Sequence, residues 1–224
     1  RAVDAIVAAL GAGGRLIFVG AGTSGRLGVL EAAECPPTFG TRPSLVQAVM
    51  AGGRASVFRS REGAEDDGRD GVRQVRRRAR AGDVVVGISA SGVTPFVRGA
   101  LASARRLGAV TVLVTCNPGI GPRAARIVIA LATGPEVLAG STRLKAGTAT
   151  KLVLNTLTTA AFVRTGRVAG NRMISMEPRS AKLRARAARL VAELGRVSRR
   201  DAERLLRVTG GRAARAVRLA RSTR

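Results

Sequence analysis

The sequence has no His, Tyr or Trp, only two Cys, and only three Lys, at positions 145, 151 and 182. Each scarcity narrows the chemistry. Without His a Ser-His-Asp triad is impossible, and proton transfer falls to Glu, Asp, Lys or Cys. Cys35 and Cys116 lack partners at ligand spacing, which argues against a zinc site. Two unpaired Cys and no recognisable signal peptide predict a reducing, cytoplasmic setting. Acidic residues are also few, 14 against 39 Lys and Arg, for a net charge of +25. Nearly all the basic residues are Arg. So much Ala, Gly, Val and Arg reads as GC-rich codon usage, so that much of the charge is drift. The functional alternative is attraction of anions. The longest apolar stretch, residues 146–163, is interrupted by Lys151, Asn155 and several Thr. It predicts a buried helix and no membrane span.

What is present is an α/β pattern. The 224 residues, 46% apolar, suffice for one domain with a core and a small appendage. Val3, Ile6, Val7 and Leu10 mark one face of an opening helix, so the chain starts inside an element and the domain is expected to be N-terminally incomplete. Strands are expected at residues 15–19, 44–50, 83–89, 109–115 and 126–131. Helices are expected at 27–34, stopped by Pro36 and Pro37, at 66–80 and at 95–107. After Gly140 the pattern turns helical to the end. Strands that are apolar on both faces and alternate with helices give a five-stranded parallel sheet sandwiched by helices, a flavodoxin-like three-layer α/β fold with a helical C-terminal appendage. The expected division is residues 1–170 for the α/β domain and 171–224 for the helical region.

Ligands of such sheets bind beyond the carboxyl ends of the strands, so three loops belong together. They are GAGTSGR (20–26), SASGVTP (89–95) and GSTRLKAGT (140–148). All combine Gly with Ser or Thr at an expected helix start, where free N–H groups and the positive end of the helix dipole suit a phosphate. Gly20, Gly22 and Gly25 have the G-x-G-x-x-G spacing of a dinucleotide turn. That turn calls for an acidic residue after the second strand, and residues 43–60 contain none, although Arg54 could meet a 2′-phosphate. Ser and Thr are ordinary helix caps, but three such loops are better explained by one compact phosphosugar. Its expected contacts are Gly22, Thr23, Ser24, Ser89, Ser91, Thr94, Ser141, Thr142 and Lys145.

The segments GRLIFVGAGTSGRLGVLEAAECPPTFG, GAEDD, VVVGISASGVTPFV, TCNPG and GPEVLAGSTRLKAGTATKLVLNTLTTA resemble the N-acetylmuramic acid 6-phosphate etherases of the sugar isomerase (SIS) superfamily. The likeness covers roughly residues 13–186. It implies cleavage of the D-lactyl ether of N-acetylmuramic acid 6-phosphate to N-acetylglucosamine 6-phosphate and D-lactate, in recycling of cell-wall sugars. It implies no metal or organic cofactor, and a homodimer whose cleft borrows residues across the interface. No nucleic-acid or membrane partner is expected.

An ether oxygen leaves poorly and needs a proton donor, while the C2 hydrogen is acidic only once the ring opens to an aldehyde. One acid and one base are therefore required. The resemblance puts the acid at Glu34, in AECPP. A protonated carboxyl near neutrality requires desolvation; a plain surface carboxylate ending a helix is the other reading. For the base the resemblance offers Glu65, in GAEDD, and Lys182, in SAKLRAR. Glu65 is also a first-turn acid favoured by a helix dipole. Lys182 can release a proton where Arg cannot, although it also fits a solvated position beside the apolar face of Leu183, Ala187, Leu190 and Leu194. Lys145 and Lys151 fit anchoring of the anionic substrate.

The chain departs from the family pattern at Val93 and Phe96, where Arg and Tyr are usual, and at Ser180, often Asn. The tail, residues 181–224, carries 14 basic and three acidic residues, with Arg212, Arg215, Arg218, Arg221 and Arg224 at every third position. A phosphate-binding helix for nucleic acid would look like this. The tail has no aromatic residue for stacking, and two short amphipathic helices, capped by Ser198 and broken at Gly210-Gly211, fit better. The rival functions are a non-catalytic phosphosugar-sensing regulator and a phosphosugar isomerase.

Overall fold

The structure is a computed structural model describing residues 1–176 and 180–222. It divides into two compact units, Arg1–Glu34 with Arg42–Ala161, and Cys35–Thr41 with Phe162–Arg224.

The first unit is built on five strands, β1 (Leu16–Gly20), β2 (Val46–Met50), β3 (Val84–Ile88), β4 (Val110–Thr115) and β5 (Ile127–Ala130). Their order is β2-β1-β3-β4-β5, and every pair is parallel. The expected parallel sheet is therefore present, each strand within a residue or two of its expected span. β1 and β3 are buried end to end, as strands apolar on both faces must be, whereas the edge strand β5 is only partly buried.

The helices of this unit are α1 (Ala2–Gly11), α2 (from Gly22), α3 (Ala55–Phe58), α4 (Gly68–Arg76), α5 (Pro95–Arg106) and α6 (Lys145–Arg164). Side chains alternate along a strand. Ile17 and Val19 therefore join Val75 of α4 and Phe96, Val97 and Leu101 of α5 in one buried cluster. Phe18 points the other way, where Gly28 lets α2 lie against it.

At the opposite end of the sheet Asp83, fully buried, gathers four donors. They are the Arg15 N–H at 2.9 Å, Arg15 Nε at 3.2 Å, Arg15 Nη2 at 2.7 Å and the Arg80 N–H at 2.9 Å. One carboxylate thus fixes the entry to β1 and the turn into β3.

Four expectations need correction. The first helix buries Ala2, Ile6 and Ala9, with Val3, Val7 and Leu10 half-buried, so its inward stripe is rotated toward Ala. α2 neither starts at Leu27 nor stops at the prolines: it spans Gly22–Phe39. Pro36 and Pro37 remove two helical N–H donors, but their φ suits a helix and the Gly40 N–H closes the next turn on the Pro36 carbonyl at 2.9 Å. Buried Cys35 and Phe39 hold this last turn in the second unit, where the Phe39 ring lies 4.6 Å from that of Phe162. Tertiary packing here overrides local propensity. After α6 the chain is not purely helical, since β6 (Val168–Ala169) and β7 (Arg172–Met173) form a small antiparallel hairpin around Gly170 and Asn171. Two-residue strands are too short to leave a periodic trace. Finally, α6 is only half-buried: Leu154, Leu157 and Ala161 face inward while Leu152 and Val163 are exposed. Among the described residues no helix is long and apolar enough to cross a membrane.

The second unit contains α7 (Ala181–Gly195), α8 (Arg199–Val208) and α9 (Ala213–Ser222). They pack through Ala187, Ala188, Val191, Ala202, Leu206, Ala216 and Val217. Ser198 caps α8 by accepting from the Asp201 N–H at 3.1 Å, and Gly210-Gly211 separates α8 from α9, as the sequence suggests. Arg212, Arg215, Arg218 and Arg221 are all exposed; Arg224 lies outside the described residues.

Replacing Asp83 by Ala strands two backbone donors and the Arg15 guanidinium. The expected outcome is a loss of about 3–5 kcal/mol of folding stability in urea denaturation; a loss below about 1 kcal/mol contradicts this role.

Candidate functional site

In a sheet of order 2-1-3-4-5 the connections leave in opposite directions from β1 and β3, and the crevice between their carboxyl ends is the expected ligand position. Two of the three expected loops flank it. The turn after β1 runs directly into α2, so Thr23 and Ser24 lie in its first turn, both half-buried. Gly25 is needed here for close approach. A Cβ at that position would stand 2.3 Å from Met50 Sδ and 2.6 Å from the Gly20 carbonyl oxygen.

The loop after β3 is organised by its own hydroxyls. Ser89, buried at the strand end, has its Oγ 2.8 Å from Thr94 Oγ1 and 3.4 Å from Ser91 Oγ. It also accepts from the Gly92 N–H at 3.0 Å. Gly92 has φ +75°, and a Cβ there would meet Ile120 and Thr115. The β4 loop, TCNPG, buttresses the other side. Asn117 Nδ2 donates to the Ser91 carbonyl at 3.1 Å, and Thr115 Oγ1 donates to the Ala90 carbonyl at 3.1 Å. Ser91 itself is exposed, and Thr94 is half-buried at the start of α5. The structure thus brings Ser89, Ser91 and Thr94 into one hydroxyl cluster.

The third loop leads into α6, which starts beside α2: a Cβ on Gly147 would stand 3.7 Å from the Thr23 methyl. Two N–H groups at this helix start are not free, contrary to the expectation. Glu136 already accepts from the Lys145 N–H and the Ala146 N–H, both at 2.9 Å. The Ala146 N–H leads in holding the Glu136 carboxyl below its ordinary range, against an opposing desolvation cost, and the Lys145 N–H and charge add to it. Ser141 is half-buried; Thr142, Lys145 and Lys151 are exposed.

Of the acid–base candidates, Glu65 is exposed and lines a crevice with Gly22, so it sits at the mouth of the first loop. Its backbone carbonyl accepts from the Phe96 N–H at 3.0 Å, which ties it to the start of α5. The Glu34 side chain is exposed and makes no hydrogen bond or ion pair among the described residues. At 1.5 Å rise per residue it stands about 16 Å along α2 from Thr23, so the first loop and Glu34 are not neighbours along the helix. The burial expected around Glu34 is not present among the described residues. Lys182, in the first turn of α7, is exposed in the second unit. Of the departures, Phe96 is buried in the core while Val93 is exposed on the hydroxyl loop.

Sequence reasoning missed Glu31. This carboxylate, one helical turn before Glu34, is buried and accepts from Asn155 Nδ2 and Thr158 Oγ1, clasping α2 to α6. It also missed Arg26, which donates through Nε to the Val57 carbonyl at 2.8 Å and through Nη2 to the Ser56 carbonyl at 3.0 Å. No motif marks Glu31, and Arg26 closes the GAGTSGR loop without a local sign of its partners; both depend on which elements meet. Among the described residues no group of three His, Cys, Asp or Glu converges as a metal site requires.

Fold and loops together define a sugar isomerase (SIS) domain. The family model described as the glucokinase regulatory protein N-terminal SIS domain matches residues 1–105. Solved structures of the same fold include phosphoheptose isomerases from Francisella tularensis and Neisseria gonorrhoeae. The first has TM-score 0.56, 18% identity, and covers 72% of this chain and 83% of that one; the second has TM-score 0.53, 20% identity, and covers 71% and 83%. At that identity they show the fold alone. Sequence relatives are far nearer. The N-acetylmuramic acid 6-phosphate etherase of Symbiobacterium thermophilum is 54% identical over 94% of this chain and 71% of its own length. That of Gloeobacter violaceus is 56% identical over 94% and 69%. The chain belongs to the N-acetylmuramic acid 6-phosphate etherase family.

The Glu136 cap has a pH consequence. A carboxyl held below its ordinary value of 4.5 stabilises the fold above that pH and loses the effect as pH falls through the lowered value. Glu136→Gln is expected to show a shallower fall in melting temperature below pH 4.5 than the parent, with the two alike at pH 7 in slope. Parallel acid-limb slopes count against the cap.

Proposed function

We propose that this chain cleaves the D-lactyl ether of N-acetylmuramic acid 6-phosphate, giving N-acetylglucosamine 6-phosphate and D-lactate in cell-wall sugar recycling. The supporting observation is identity above 50% to etherases over 94% of the chain. The hydroxyl cluster of Ser89, Ser91 and Thr94, with Thr23 and Ser24 at the start of α2, suits the phosphate and sugar hydroxyls. Lys145 suits the substrate's second anionic group.

The reaction is a carbon–oxygen lyase step followed by hydration. Ring opening makes C1 an aldehyde and acidifies the C2 hydrogen. A base removes that proton, the C–H electron pair becomes the C2=C3 double bond, and the C3–O bond breaks. The departing lactyl oxygen takes a proton from the acid, and D-lactate leaves. Water then adds to the conjugated intermediate, hydroxyl to C3 and proton to C2, and the ring closes. No step calls for a metal or an organic cofactor.

Glu34 is assigned as the acid, with Glu65 and Lys182 as candidates for the base. The distance of Glu34 from the loops along α2 supports a homodimer in which one copy's Glu34 serves the other's loops, and that contact is also what would desolvate it. We also propose a cytoplasmic setting, which the sparse Cys content suits. An isomerase reading of the same domain gives no lactate.

Glu34→Gln is expected to lower D-lactate release by about 10²–10⁴-fold while sparing phosphosugar binding; full activity removes Glu34 from its role. Turnover in heavy-oxygen water is expected to place solvent oxygen on C3 of the sugar product, checked by mass spectrometry. Label on lactate instead contradicts elimination.

A further inference from the structure

An open cavity of ≈ 420 Å³ borders the hydroxyl loop. Gly92 and Val93 of that loop, Arg98 of α5, and Ile120, Arg123 and Ala124 from the segment before β5 line it. The volume falls in the range of small-molecule pockets, roughly 300–1,000 Å³. Among the described residues no carboxylate lines the cavity. Arg98 and Arg123 are both exposed, and neither guanidinium has an ion pair or hydrogen bond among the described residues. The backbone of Arg123 is held, its carbonyl accepting from Arg105 Nη2 at 3.0 Å. Guanidinium groups match carboxylates and phosphates. Two unengaged cations on a cavity shared with Val93, Ile120 and Ala124 therefore suit a small anion that carries an apolar group.

The start of α5 brings two of these residues together. Thr94 is the N-cap and Pro95 the first helical residue. Val93 is thus the residue before the cap and Arg98 the fourth of the helix, positions whose side chains meet at a helix start. Both line the cavity, as that pairing requires. An Arg at position 93, usual in the family, would bring its charge to the corner that Arg98 occupies. The etherase reading, on which this inference rests, supplies the anion. The substrate carries a phosphate, which the hydroxyls of Ser89, Ser91 and Thr94 suit, and a lactyl group made of a carboxylate and a methyl. Cluster and cavity adjoin across Gly92 and Val93, whose N–H groups donate to Ser89 Oγ and Ser91 Oγ. Lys145 also suits the carboxylate, but its charge acts on Glu136. We propose that Arg98, seconded by Arg123, holds the lactyl carboxylate in this cavity and stands in for the cation that Val93 does not supply. Arg98 is thereby a specificity-determining residue for lactyl-bearing sugar phosphates.

The test titrates the intact chain by calorimetry with the 1-deoxy forms of N-acetylmuramic acid 6-phosphate and N-acetylglucosamine 6-phosphate. Without an anomeric hydroxyl neither ligand can open to the aldehyde, so binding is read without turnover, and the two differ only in the lactyl group. Arg98→Gln is expected to weaken the lactyl-bearing ligand about 5–20-fold and to leave the other within about 2-fold. Adding Val93→Arg to that variant is expected to recover most of the loss. The Arg98 side chain is exposed and its guanidinium unengaged, so the melting temperature of Arg98→Gln is expected to match the parent's. Equal losses on both ligands, no loss on either, or no recovery with Val93→Arg overturns the proposal. D-lactate release from the unmodified substrate is measured beside the titration. A lactyl-dependent loss in a chain that releases no lactate overturns the etherase reading and leaves the role of Arg98 standing, whereas binding of neither ligand overturns both.

Discussion

The parallel pairing of β1 with both β2 and β3 is the constraint on which the first unit rests. A strand flanked on both edges by parallel neighbours must be apolar throughout, and its crossovers must leave helices on both faces. It also sends the chain in opposite directions from the ends of β1 and β3, opening a crevice that no side chain has to carve. Into that opening run two turns rich in Gly, Ser and Thr. Their backbone is shaped by contacts a larger residue would forbid, at Gly25 against Met50 and at Gly92 against Ile120.

Acidic residues are scarce in this chain, and the structure shows several of them fully committed. Asp83 gathers donors at the amino end of the sheet, Glu136 closes the start of α6, and Glu31 joins α2 to α6. Each holds elements that carry part of the site. The abundant Arg residues behave differently. Arg15 and Arg26 are tied into the structure, while those along α9 are exposed. The large net charge is thus mostly a property of the exterior, where solvent and salt screen it, and it suits an anionic substrate without defining one.

Much was legible from the sequence because it depends on local pattern. Apolar runs such as VVVGI and VTVLVT, each ended by a Gly- or Ser-bearing turn, have few alternatives to buried parallel strands. The Ser89–Thr94 loop was legible too, since a hydroxyl-rich turn between a strand and a helix has a direct reading. The helix through Pro36 and Pro37 was not, because aromatic packing of Phe39 on Phe162, distant in sequence, decides it. Nor were Glu31 and the anchoring role of Arg26, because their partners lie far along the chain.

The sequence by itself determined the layered α/β class, the three hydroxyl loops and the family, since these follow from periodicity, turn chemistry and motif. Only the tertiary structure decided which helix starts are open to a ligand and which are already closed by a carboxylate. It alone set Glu34 well along α2 from the loops. Burial and hydrogen-bond satisfaction are properties of residues meeting in space, and one-dimensional order carries them only where the meeting residues are neighbours.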